Sequence, residues 1–222
     1  MSVTDEYDLV DDRVARLQTA YRDCRIVLFP EHCGAWPRGV EARPVERLYA
    51  VGRGGLVVER HLDAFLASGC AWWLKVDPDT VAWRPLLHLP EDTCFFGTLQ
   101  DGASLQGGCI GGTRAAAAAL LASGALRAEA LLDPAASWAR GDAKRVDAGL
   151  VSFEHVHAWA CREAGIELRD HPEIHCESRE PPADPWRWAF THPHKWLDPD
   201  ADALTPRAEV IERGLPVFAS TR

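Results

Sequence analysis

An α/β fold with a mainly parallel sheet flanked by helices is what this sequence predicts, and three observations predict it. Short runs rich in strand formers alternate with segments of helical spacing. Glycine and proline punctuate the joints between them. At 222 residues, with no internal repeat, low-complexity tract or evident linker, the chain reads as one domain over 1–222. Residues 1–10 and about 199–222 read as peripheral tails.

The elements follow in order. Asp11 to Arg22 carries Val14, Leu17 and Tyr21 among charges, an amphipathic helix. Cys24 to Phe29 is a short strand stopped by Pro30, and residues 30–46 are a Pro/Gly-rich loop. Leu48 to Val51 is a further short strand. Gly52-Arg53-Gly54-Gly55 then opens a helix with Leu56, Val57, Leu62, Phe65 and Leu66 at helical spacing. Glycines in that place let backbone amides approach a phosphate or ribose, so Gly54 and Gly55 are cofactor-binding candidates.

Ala71 to Val76 reads as a strand, with Trp72 and Trp73 facing opposite sides as packing residues. Phe95 to Leu99 and Cys109-Ile110 are shorter strands. Thr113 caps a helix through the alanine run 115–119, and Gly124 stops it. Residues 129–145 are mixed. A longer helix runs from Asp147 or Ser152 to Ala164 with Gly165 as its stop, and residues 177–188 are loop.

Composition narrows the function. A net charge of -9 disfavours nonspecific binding to nucleic acid or anionic membrane. No apolar run approaches the roughly 20 residues a membrane span needs. The acidic segment Met1 to Asp12 is the opposite of a secretory leader. The 7 cysteines are scattered, without a Cys-x-x-Cys pair, which argues against a disulfide framework or zinc ribbon and for reduced thiols in a cytoplasmic protein.

The chemistry concentrates in Trp73-Leu74-Lys75-Val76-Asp77-Pro78-Asp79-Thr80. A strand ends there in two carboxylates two residues apart. Hard oxygen ligands at the carboxyl end of a strand suit Mg²⁺ or Mn²⁺ and a diphosphate.

Further groups lie downstream: Phe95-Phe96-Gly97-Thr98, then Gln106-Gly107-Gly108-Cys109-Ile110-Gly111-Gly112, Ser152-Phe153-Glu154, and Thr191-His192-Pro193-His194-Lys195. Taken in this order, over roughly residues 45 to 197, the chain resembles the GT-A glycosyltransferases, Asp-x-Asp enzymes that use nucleotide-sugar donors. The resemblance implies a GT-A-like sandwich and transfer of a sugar from a nucleotide diphosphate to a hydroxyl acceptor.

Roles follow from the same resemblance. Asp79 ligates the metal directly, Asp77 contacts the metal or the donor ribose, and His192 completes the metal shell. Lys195 meets a phosphate as a point charge. Gln106, Gly107 and Gly108 shape the sugar site, with Gln106 offering its amide to hydroxyls. Glu154, in the first turn of its helix, is the candidate base, and Asp147 is the rival base or the true N-cap.

Two departures stand beside the resemblance. Phe153 occupies a position where the family carries an acid, and no apolar strand precedes Asp11 to hold the nucleotide base. Both fit a second reading, a non-catalytic relative that binds a glycan or protein. A metal-dependent nucleotidyltransferase or phosphoesterase is a third, since these also use paired carboxylates.

Overall fold

A computed structural model describes residues 13–28, 40–43, 54–77, 80–100, 102–128, 131, 153–176 and 184–192. In chain order these hold α1 (13–20), β1 (Val27–Leu28), β2 (Glu41–Ala42), α2 (Gly54–Ser68), β3 (Trp72–Val76), β4 (Val81–Ala82), β5 (Cys94–Gln100) and β6 (Ser104–Thr113). They continue with α3 (Arg114–Ser123), α4 (Phe153–Glu163), β7 (Glu167–Asp170), β8 (Ile174–His175) and β9 (Phe190–Thr191), plus short 3₁₀ turns at Ala125–Arg127 and Pro185–Arg187. The expected strand at Leu48 to Val51 and the mixed segment 132–145 lie outside the described residues.

The chain is α/β, but its sheets are mixed, which corrects the expectation of mainly parallel pairing. The largest sheet has the order β3-β6-β5-β7, with β6 antiparallel to both neighbours and β5 parallel to β7. A second sheet, β4-β9-β8, pairs β4 antiparallel and β8 parallel to β9. The cause is the short link between β5 and β6. Gly102 sits there at a φ of 67°, and Ala103 N–H donates to the Gln100 carbonyl at 3.0 Å. So short a connection reverses the chain, whereas a parallel pair needs a long crossover.

Strand β6 is also far longer than Cys109-Ile110 suggested, because its glycines read as breaks yet lie within the ladder. Strands β2, β7, β8 and β9 are too short or too polar to show an alternating pattern. Among the described residues the strand expected along Cys24 to Phe29 is β1 alone, which pairs in parallel with β2.

Alternation of side chains along the four-stranded sheet builds two cores. On one face Phe95, Leu105 and Ile110 meet Val58, Leu62 and Phe65 of α2, Leu120 of α3 and Val156 and Ala160 of α4. On the other Phe96 and Cys109 meet Ala82, Ile174, Cys176 and Phe190, with Leu17 and Tyr21 of α1 against them. Trp73 joins the first core and Leu74 the second, while Trp72 turns the opposite way from Trp73 to meet Tyr21 edge-on at 6.1 Å. The four-stranded sheet is therefore a middle layer between three helices and a smaller sheet.

Local chemistry sets the helix ends. Thr113 accepts from Ala116 N–H at 3.2 Å, and Gly124 closes α3 at a φ of 72°. The described thiols are free, and four of them (Cys94, Cys109, Cys161 and Cys176) are buried. Among the described residues no helix is long and apolar enough to cross a membrane.

Candidate functional site

A bulge in β6 organises the site. The pairing of β5 with β6 passes from Gly97–Ile110 to Leu99–Leu105, so β6 carries more residues than its partner across Gln106 to Cys109. Extra residues in one strand turn neighbouring side chains and carbonyls out of the regular alternation. Gln106, buried within the bulge, accepts from Gly108 N–H at 2.6 Å through its amide oxygen.

The carboxyl end of β3 is fastened to this bulge. The Gly108 carbonyl accepts from Asp77 N–H at 3.0 Å and from the Thr80 hydroxyl at 2.7 Å. Thr80 N–H donates back to the Asp77 carbonyl at 3.0 Å. Lys75 lies two residues before Asp77 on the same strand face. Its ammonium donates to Asp77 Oδ1 and to the Gly107 carbonyl, and it stands 5.2 Å from the centre of the Phe153 ring. Lys75 is only 6% exposed, so these partners replace the water its charge has lost.

Glycines then admit two side chains from different layers. A Cβ at Gly107 would fall 2.7 Å from Glu154 Oε2, at the start of α4. A Cβ at Gly108 would fall 2.3 Å from the His192 ring, just beyond β9. His192 is buried, and its Nε2 lies 4.0 Å from Asp77 Oδ2. The structure thus brings together Asp77, Gln106, Gly107, Gly108, Glu154 and His192, though their sequence positions are far apart.

Packing accounts for several of the glycines. The space over Gly107 and Gly108 is filled by Glu154 and His192, and the Gln106 amide oxygen is turned onto the bulge. Gly55 is buried, and a Cβ there would fall 1.8 Å from the Leu126 carbonyl oxygen. Close packing of α2 on the 3₁₀ turn explains that glycine, and Gly54 is buried beside it. Asp79, Asp147 and Lys195 lie outside the described residues.

Behind the site the environment is apolar. Burial, then the nearby Lys75 charge, push His157 and His61 down to about 3. The His157 ring meets Phe95 at 4.5 Å, and its Nδ1 has no hydrogen-bond partner among the described residues. Burial raises the Cys109 thiol well above its ordinary range, which leaves it a neutral wall beside Val76.

A divalent ion sets a geometric bound on its donors. Two atoms each about 2.1 Å from a shared ion can be no more than about 4.2 Å apart. The 4.0 Å between Asp77 Oδ2 and His192 Nε2 lies inside that bound but exceeds the roughly 3.0 Å between adjacent ligands of an octahedral ion, so the two must draw closer to share one. A carboxylate oxygen with an imidazole nitrogen suits Mn²⁺. Among the described residues no three His, Cys, Asp or Glu side chains make a complete set.

Lys75 is the residue that motif reasoning left without a role. The signal was present: a lysine inside an apolar strand must find partners, and an acid at i+2 is the nearest. No family model matches the chain, and no curated protein matches it.

Proposed function

We propose that this chain is a metal-dependent glycosyltransferase of GT-A type, moving a sugar from a nucleotide diphosphate donor to a hydroxyl acceptor. One observation carries the reading: Asp77, His192 and Glu154, from three different layers, meet at the β6 bulge beside the carboxyl end of β3. Mn²⁺ or Mg²⁺ would be the cofactor, and Asp77 and His192, with Asp79 of the same motif, are the residues that would hold it. When bound, the ion supplies Lewis-acid stabilisation of charge on the departing diphosphate.

The chain's own residues supply the rest. Asp77 is oriented by its backbone bond to Gly108 and by Lys75, so its carboxylate is set before the donor arrives. Glu154 lies against Gly107, within the first turn of α4. There it takes the proton from the acceptor hydroxyl as the sugar is transferred. Asp147 is the alternative base. The net charge of -9 and the free thiols support a cytoplasmic protein acting on a small donor and not on nucleic acid.

Product analysis tests the reaction class. The protein is incubated with UDP- and GDP-sugars and Mn²⁺, and the released nucleotide is identified. Release of UDP or GDP together with a free or transferred sugar is expected. Release of pyrophosphate or phosphate would move the chain to the nucleotidyltransferases or phosphoesterases.

A further inference from the structure

Phe153, the first residue of α4, is held among three polar groups. The Lys75 ammonium stands 5.2 Å from the centre of its ring, the His61 ring meets it edge-on at 5.4 Å, and the His157 ring stacks on it at 5.9 Å. Burial keeps both imidazoles neutral, so the charge they leave at this ring is the ammonium. The same ammonium donates to the Gly107 carbonyl. Glu154, the next residue of α4, lies against Gly107. One cation therefore holds both the backbone on which Glu154 rests and the residue that precedes it.

We infer that Phe153 is a positioning residue for Glu154, its ring held by the Lys75 ammonium so that the first turn of α4 is fastened to the β6 bulge. The inference rests on the reading of Glu154 as the base and deepens it; it requires no ion at the site. An aromatic face attracts a desolvated ammonium through its quadrupole. Lys75 and Phe153 are both buried, so water does little to weaken that attraction. A carboxylate at 153 would draw the ammonium away from Asp77 and Gly107, whereas a leucine would fill the space without attracting it. Phe153 touches no reacting atom in this scheme; it acts through Glu154.

The test separates the electrostatics of the ring from its packing. Phe153 is replaced in the full chain by mono-, di- and trifluorinated phenylalanine, which withdraw electrons from the ring face and nearly keep its shape. The series is made with Lys75 in place and again in Lys75→Met, or in Lys75→Gln should the methionine variant not fold. In urea denaturation the trifluorinated ring should lower the folding equilibrium constant by about tenfold beside Lys75 and hardly at all without it. In release of nucleotide from UDP- and GDP-sugars, kcat should fall stepwise along the series, by about tenfold at its end. The donor KM should change little, because the displaced group is the base. Stability and kcat both indifferent to fluorination would overturn the inference and leave the reading of the site in place. A loss of stability with kcat unchanged would overturn the positioning role alone. Absence of nucleotide release by the wild type would overturn the reading of Glu154 as the base, and this inference with it.

Discussion

Gly107-Gly108 and Gly111-Gly112 are the same dipeptide on the same strand, and each glycine leaves space that a neighbour fills. In the second pair the occupants are aromatic: a Cβ at Gly111 would fall 2.2 Å from the Phe96 ring, and one at Gly112 would fall 2.4 Å from Phe95. Phe96 and Phe95 are also their ladder partners, so each ring folds over the glycine opposite it. In the first pair the occupants are Glu154 and His192. The difference lies in the backbone. Gly111 and Gly112 sit in a regular ladder, which sends one ring into each core, whereas Gly107 and Gly108 sit in a bulge whose carbonyls turn to Lys75, Asp77 and Thr80. The same local sequence builds a core where the ladder is regular and gathers polar groups where it is not.

Breaking the regular pair has the largest predicted effect. Gly111→Ala and Gly112→Ala each press a methyl into a buried ring and should cost about 3 kcal/mol of stability, read by urea denaturation. Effects of that size arise because neither Phe95 nor Phe96 has solvent to move into.

Acid attacks the same side of the molecule. The folded value of His157, about 3, lies below the ordinary 6.5, so the unfolded chain takes up a proton that the folded protein refuses. The stabilisation is complete above about pH 6.5 and is lost as pH falls toward 3. Between pH 7.5 and 5 His157 alone should remove about 2 kcal/mol, and His61, with the same folded value, about as much again. A His157→Phe variant should reduce that pH dependence by about half in denaturation curves taken at both pH values.

The irregular pair should respond differently. Gly108→Ala displaces the His192 ring and is expected to weaken Mn²⁺-dependent nucleotide binding by about tenfold, equivalent to about 1.4 kcal/mol, more than its effect on folding predicts. Gly107→Ala meets the far end of a flexible Glu154 side chain, so its stability cost should be about 0.5 kcal/mol. Its kcat should nonetheless fall with KM little changed, because the displaced group is the candidate base. If both pairs gave equal stability losses and unchanged binding, the contrast between ladder and bulge would fail.

Much of this was legible in the residues, for identifiable reasons. Helix α3 announced itself through Thr113 and Gly124, whose roles depend on nearest neighbours alone. Asp77, Glu154 and His192 were singled out by the family resemblance, and the structure brings all three to the β6 bulge. The length of β6 was not, since a glycine pair reads as a break until its cross-strand occupant is known. The mixed sheet was hidden in the β5–β6 link, and the packing of Gly55 on Leu126 in a contact between distant segments. Lys75 was visible but unassigned, because its partners include a carbonyl on another strand.

The proposal that Asp77 and His192 hold a metal–diphosphate is tested most directly by titrating UDP and GDP calorimetrically into the protein with Mn²⁺ and again with EDTA, alongside Asp77→Asn. Binding of one nucleotide in Mn²⁺, lost in EDTA and strongly weakened in Asp77→Asn, is the predicted result. No heat from either nucleotide in a folded protein, or binding indifferent to both EDTA and Asp77→Asn, would contradict it.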